Sequence, residues 1–393
     1  MPRSPTAIPE LDGLRAIAVL LVVVRHGVNP FWSESDGLFP VFGWDLGIPM
    51  TNGWIGVDLF FVLSGFLITH QVLKRYGKGF GRPDVGDYVY RRAMRIVPAY
   101  FVAIAIALSG LIPYWSVSGD RLGARVGYHL LFLQDYLPSN ILSVFWSLGV
   151  EEKFYALAPF LLMGILRLDS MRGRYIALGA VALLPTVFRV ITTLTTSGID
   201  DYADFFPVYR SPFHMTFDGL AVGVLAAFIY RDRDQLAWTS RPRTVNGLFW
   251  AGAIPYLWLA AGQPLMDSIS LFDKLVLQAA LGWTAGAMLL SLALGGGPSG
   301  VFRHGWMFVV SKLSYSWYLM HIMFVPLALR ITDGLFGADT ASPGVRFVLF
   351  APTYLALSLT AAFALHFAAE KPFLILRDRT RSDHELTPVA RSA

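Results

Sequence analysis

The 393-residue chain contains no cysteine, which excludes disulfides, thiolate catalysis and cysteine-ligated metal. Charge is scarce as well. Asp, Glu, Lys and Arg make up 15% of the residues, against roughly 25% in a soluble globular domain. Lysine supplies 6 of the 32 basic residues and arginine the other 26. No GxxxxGK phosphate loop, HExxH zinc motif or GxSxG nucleophile elbow occurs. No cluster has metal-ligand spacing, so no metal is predicted. What is abundant is apolar: 55% of residues are hydrophobic and the mean hydropathy is +0.52. Neither a soluble enzyme of ordinary design nor a disordered chain has this balance.

Apolar runs of membrane length fall near Leu14–Pro30, Trp54–Leu73, Val97–Trp115, Trp146–Arg167, Tyr175–Thr195, Phe213–Tyr230, Asn246–Gly262, Leu275–Leu294, Trp306–Leu329 and Arg346–Ala369. Each is close to the roughly 20 residues that cross about 30 Å of hydrocarbon. Val126–Tyr136 is too short to span and reads as a re-entrant or surface helix. The predicted fold class is therefore all-α, a polytopic membrane bundle of about ten transmembrane helices. Residues 1–375 form the membrane domain and 376–393 a polar cytoplasmic tail. Met1–Glu10 is not a signal peptide, since the following apolar run is too long and no small-residue cleavage site follows it.

Charge orients the spans. The segment after the second run holds Lys74, Arg75, Lys78, Arg82, Arg91, Arg92 and Arg95. The alternate loops that follow hold Arg167, Arg172 and Arg174, then Arg231, Arg233, Arg241 and Arg243, then Arg303, and the tail adds Lys371, Arg377, Arg379, Arg381 and Arg391. The opposite side has no basic residue between Phe31 and Gly53, and only Arg210 beside Asp200, Asp201 and Asp204. Both termini are expected in the cytoplasm. Topology thus explains the net charge of +5 without nucleic acid.

Polar groups inside the apolar runs are costly and point to function. Asp12, Arg15 and His26 share one stripe of the first helix. Eleven residues at 100° each bring His26 within about 20° of Arg15, some 16 Å farther along the axis. Arg15 with Arg91, Arg92 and Arg95 can grip phosphates, as guanidinium forks do. A phosphorylated donor such as coenzyme A fits, its pantetheine arm reaching about 15–20 Å inward to His26, the natural general base at neutral pH. The alternative for His26 is a packed interfacial histidine. Asp58 either orients His26 or pairs with an arginine, while Ser64 and Gly65 permit close helix packing. Glu151 and Glu152 point about 100° apart, so at most one faces His26, and either can instead stabilise a helix start. Asp218 and His321 are further buried polar candidates.

The motifs are Leu11-Asp-Gly-Leu-Arg-Ala-Ile-Ala-Val-Leu with His26, Gly56-Val-Asp-Leu-Phe-Phe-Val-Leu-Ser-Gly-Phe, Arg91-Arg-Ala-Met-Arg-Ile-Val-Pro, Ser147-Leu-Gly-Val-Glu-Glu-Lys-Phe-Tyr and Ser314-Tyr-Ser-Trp-Tyr-Leu-Met-His. In this order, across most of the chain, they resemble the membrane-bound acyltransferase 3 family. The resemblance implies a ten-helix enzyme of the bacterial plasma membrane that moves acetyl, or another short acyl group, from acyl-CoA to a hydroxyl. It implies His26 as the catalytic histidine, Arg15, Arg92 and Arg95 as donor-side arginines, Glu151 as the motif glutamate and His321 as the ninth-span histidine. Arg25 departs from the family, where an apolar or aromatic residue is more usual.

The expected mechanism is direct transfer in a ternary complex. His26 takes the acceptor proton with Glu151 or Asp58 in support, Arg15, Arg91, Arg92 and Arg95 hold the donor, and His321, Glu152 and Asp12 line the acceptor side. A covalent acyl-histidine is the rival mechanism, which ping-pong kinetics reveal. Expected partners are acyl-CoA, membrane lipids and a hydroxyl-bearing sugar. The first choice of acceptor is a cell-envelope glycan or glycolipid, the second a macrolide-like or other glycosylated metabolite. A lipid-linked sugar flippase or transporter is the alternative outside this class, although no halves of the chain mirror each other.

Overall fold

The computed structural model describes residues 8–33, 37–138, 140–262, 269–337 and 341–385. The side chains of Lys78 and Arg381, and the whole of Arg391, all counted above in the basic loops and tail, lie outside the described residues. Long helices occupy each predicted apolar run: α1 (Pro9–Val28), α2 (Gly56–Tyr76), α3 (Arg82–Ser109), α4 (Trp146–Leu166), α5 (Met171–Thr195), α6 (Asp218–Arg231), α7 (Pro242–Ala260), α8 (Leu277–Ala293), α9 (Gly305–Met320) and α10 (Pro343–Leu365). Among the described residues, five continuous helical stretches are long and apolar enough to cross a membrane: Gly47–Tyr76, Arg82–Ser109, Met171–Thr195, Gly305–Phe336 and Pro343–Arg379. A further helix, α11 (Lys371–Glu385), follows α10 through a π-helical turn, so the boundary expected after residue 375 falls inside a helix.

The short Val126–Tyr136 stretch is helical only at its start. Its helix runs Leu122–Leu130 and gives way to turns. The one sheet among the described residues is a two-stranded hairpin, β1 (Pro40–Val41) and β2 (Trp44–Asp45), with Pro40 opposite Asp45 and Val41 opposite Trp44.

The bundle is apolar outside as well as inside. On α5, Leu183, Leu184, Val187, Val190, Ile191 and Leu194 are exposed, while Arg189 is fully buried. This inversion is the pattern of a helix whose outer face meets hydrocarbon. At the centre, α2 packs on α6 at glycines. A Cβ on Gly65 would collide with the backbone of Leu220, and one on Gly223 with the backbone of Val62. Small residues allow this approach, which brings Asp58 and Ser64 into the bundle interior.

Candidate active site

Between α1, α2, α3, α4, α9 and α11 lies a cavity of about 620 Å³. Its walls carry Arg15, Lys74, Arg91, Arg92, Arg95, Lys312 and Arg377 against only Asp12, Glu151 and Asp378, so cations outnumber carboxylates by seven to three. The sequence brings them together because α1 presents Asp12 and Arg15 one helical turn apart, while α3 presents Arg91, Arg92 and Arg95 across one turn.

These cations are not alike. Arg91 is spoken for: its Nε donates to both Asp87 oxygens at 2.9 and 3.0 Å, and Arg75 shares that carboxylate. Arg92 donates to Gln71 Oε1 at 2.8 Å and lies over the Tyr155 ring. Arg15 and Arg95 make no hydrogen bond or ion pair with the described residues, although both line the cavity. Unpaired guanidiniums in a partly enclosed cavity are costly unless an anion completes them.

Glu151 forms the acidic end of the wall. Its Oε1 accepts from Ser64 Oγ at 2.8 Å and its Oε2 from the Tyr155 hydroxyl at 2.9 Å. Asp12 accepts from Ser311 Oγ at 3.1 Å. Glu152 does not line the cavity, and its buried Oε1 has no partner among the described residues. The neighbouring lysine turns elsewhere, Lys153 donating to Asp135 and to the Phe132 carbonyl.

His26 and His321 meet edge to face just beyond the cavity, ring centroids 5.0 Å apart. Their partners assign the tautomers. His321 Nδ1 lies 2.8 Å from the Tyr318 carbonyl and 3.1 Å from the Trp317 carbonyl. Carbonyls only accept, so this nitrogen carries the proton and His321 Nε2 holds a lone pair. That lone pair faces His26 Nδ1 at 3.2 Å, which also lies 2.8 Å from the Val22 carbonyl. His26 Nδ1 therefore donates to both. The consequence falls on the far side of the ring: His26 Nε2 is left as the free basic nitrogen. His321, fully buried, orients the imidazole.

Tyr318 touches both regions. It lines the cavity, its ring packs against Phe60 (centroids 6.0 Å apart) and against His321 (5.8 Å), and its hydroxyl lies 2.6 Å from both Ser147 Oγ and the Val144 carbonyl. Asp58 goes elsewhere. Both of its oxygens accept from Arg210 at 2.8 Å, and that guanidinium is sandwiched between Trp54 and Trp146. Asp218 is likewise held by Arg189 at 2.9 Å. Arg25 donates to Asn29 at the end of α1.

Sequence reasoning passed over Lys312, Tyr155 and Tyr318. Lys312 carried a signal, being the one lysine within an apolar run of α9. The tyrosines carried none, because a buried tyrosine in a membrane helix is ordinary. Among the described residues no group of three or more His, Cys, Asp or Glu is placed to hold a metal.

The profile of an acyltransferase domain family, the acyltransferase 3 family, matches residues 8–367. A putative peptidoglycan O-acetyltransferase, YrhL, of Bacillus subtilis is 33% identical over 191 residues, covering 45% of this chain and 27% of the relative. The peptidoglycan O-acetyltransferase OatA of Listeria monocytogenes is 30% identical over 174 residues, 41% of this chain and 25% of its own. The O-acetyltransferase OatA of Staphylococcus aureus is 26% identical over 205 residues, 49% and 31% respectively. The matched part thus spans about a quarter to a third of each of these relatives. No solved structure matches significantly. With the family profile covering nearly all of its length, the chain belongs to the acyltransferase 3 family.

Proposed function

We propose that this protein is an O-acyltransferase that moves acetyl, or another short acyl group, from acyl-CoA to a sugar hydroxyl of a cell-envelope glycan. The observation that carries the reading is the cavity itself: it is lined by cations without ion pairs and by Tyr318, whose ring touches His321, the residue that leaves His26 Nε2 free. The named peptidoglycan O-acetyltransferases among the relatives favour an envelope glycan over a glycosylated metabolite. Nothing favours transport.

The donor set fits a polyphosphate. Arg15, Arg95 and Lys312 make no hydrogen bond or close ion pair among the described residues and line one cavity, with Arg92 beside them. The thioester, when bound, supplies the acyl group. The arginines hold and orient the donor's phosphates by charge-assisted hydrogen bonds. His26 Nε2 accepts the proton of the acceptor hydroxyl as that oxygen attacks the thioester carbonyl. The C–S bond then breaks and coenzyme A leaves as the thiolate, which takes the proton from His26 to give ester and free thiol. Throughout, His321 Nε2 keeps the His26 Nδ1 proton in place. Held this way, the imidazole does not rotate during proton transfer. Glu151, fixed by Ser64 and Tyr155, balances the charge of Arg15 and Arg92 across the cavity. We further propose that all ten long helices span the membrane with both ends in the cytoplasm, which puts the cation-rich cavity on the side of the basic loops. The protein then resides in a bacterial plasma membrane.

The test is purified protein in nanodiscs with radiolabelled acetyl-CoA, assayed against peptidoglycan fragments and envelope glycolipids with His26→Ala in parallel. Label transfer that vanishes in the folded variant establishes the enzyme. A folded preparation that binds no acyl-CoA overturns the reading.

A further inference from the structure

The hairpin β1–β2 is built against the rules of its own turn. Its loop is the two residues Phe42 and Gly43, both at positive φ (50° and 82°), as a type I′ hairpin requires. Asn, Asp or Gly ordinarily fills the first position, because a bulky side chain is disfavoured there. Here it is phenylalanine, and its side chain is fully exposed. Around it Val41, Trp44 and Leu46 are exposed too, so the tip, Pro40 to Trp44, is apolar apart from the Trp44 indole N–H.

The base is as rigid as the tip is bare. Asp45 Oδ1 accepts from the Phe39 and Gly47 amides at 2.7 and 2.8 Å, and its Oδ2 from Leu38 N and the Trp32 indole at 2.8 and 2.9 Å. This base sits on the ends of two apolar stretches long enough to cross a membrane. Gly47 opens one of them, and near the start of the other a Cβ on Gly344 would collide with Leu38 and Phe39. Phe39 also packs edge to face on Phe347 of α10. The tip is four residues from Leu46, so it stays within about 14 Å of the helix ends, a reach that includes the polar headgroup layer, roughly 5–8 Å thick.

We propose that the Pro40–Trp44 tip inserts into the headgroup interface of the bilayer as a fixed aromatic anchor. A sugar-stacking platform pairs aromatic faces with several hydrogen-bonding side chains, and on this tip the Trp44 indole N–H is the single such group. No Lys or Arg occurs between Phe31 and Gly53, so insertion does not depend on anionic lipid.

The absence of cysteine allows a clean test. Phe42→Cys carries a spin label in phosphatidylcholine nanodiscs, with Asp120→Cys, an exposed loop position eleven residues past the end of α3, as the aqueous reference. The label at 42 should collide with oxygen several-fold more, relative to a water-soluble nickel chelate, than the label at 120. That ratio should stay the same when a third of the lipid is replaced by phosphatidylglycerol. Equal ratios at the two positions overturn the proposal. So does a water-like label at 42 that is immobilised by chitotriose, which would mark a sugar platform. Phe42→Asn provides the folding control: it suits the turn better, so its Tm in detergent should be unchanged or higher. A Tm lower by several degrees would show that Phe42 packs within the protein, and would equally overturn the anchor.

Discussion

Two sets of arginines occupy this bundle, and they differ in what completes them. Arg210 and Arg189 are buried and finished: Asp58 grips one guanidinium with both oxygens between two tryptophans, while Asp218 and the Met215 carbonyl hold the other. Arg15 and Arg95 face a cavity with no partner among the described residues. A buried ion pair is stabilised by its own geometry, whereas an unpaired cation beside a cavity has its missing partner in a ligand. The same residue type therefore serves structure in one place and binding in the other.

His26→Ala sharpens the contrast most strongly. Loss of a positioned general base should lower kcat by about 10²–10⁴-fold with donor binding intact, since His26 lies outside the cation-lined walls. Equilibrium binding of acetyl-CoA beside single-turnover transfer separates the two effects. Full transfer by a folded His26→Ala protein would remove the histidine from the chemistry.

The paired set is tested by Arg210→Ala. It strands the Asp58 carboxylate in the bundle and should cost about 3–5 kcal/mol of stability, read as a large fall in Tm and in folded yield. Arg95→Ala should do the reverse. Its Tm should hold, while KM for the acyl donor rises roughly tenfold, the equivalent of about 1.4 kcal/mol. If the two variants exchanged phenotypes, the division between paired and unpaired arginines would be wrong.

Tyr318→Phe removes the hydroxyl's contacts to Ser147 and the Val144 carbonyl but keeps the ring in the cavity wall and against His321. It should cost about 1–2 kcal/mol in stability and leave the preference among acyl donors unchanged. Tyr318→Ala removes that ring, and chain-length competition assays should then show longer acyl groups gaining on acetyl.

The smallest effect belongs to the hairpin. Burial alone would raise the Asp45 carboxyl, but the amides of Gly47, Phe39 and Leu38 and the Trp32 indole outweigh it and hold the group below its ordinary value. A depressed folded-state pKa contributes stability above the unfolded value of about 3.9 and loses it as pH falls through the folded value. A label at position 42 should therefore gain mobility only below about pH 4, and Asp45→Asn should remove that transition.

Much of this was legible in the chain because membrane length and the 3.6-residue period act locally. Apolar runs marked where each long helix forms, and the spacing from Arg15 to His26 placed both residues on one stripe of α1. Partner choice was not legible. Asp58 could orient His26 or bind an arginine, and only folding brought it to Arg210, 152 positions away. Glu151 reached Ser64 across 87 positions in the same way. His26 and His321, separated by 295 positions, share a hydrogen bond whose direction follows from backbone carbonyls on both helices.

By itself, then, the sequence determined that this is a helical membrane protein, where its long helices run and which motifs it shares with its family. Hydrophobicity, helical periodicity and motif order are properties of neighbouring residues along one chain. Only the tertiary structure decided which arginines stay unpaired, which histidine nitrogen is left basic, and that Tyr318 lines the cavity while its ring touches His321. Those outcomes depend on which distant groups meet in a medium of low dielectric, where a charge or a hydrogen-bonding atom is completed by a neighbour or left for a ligand.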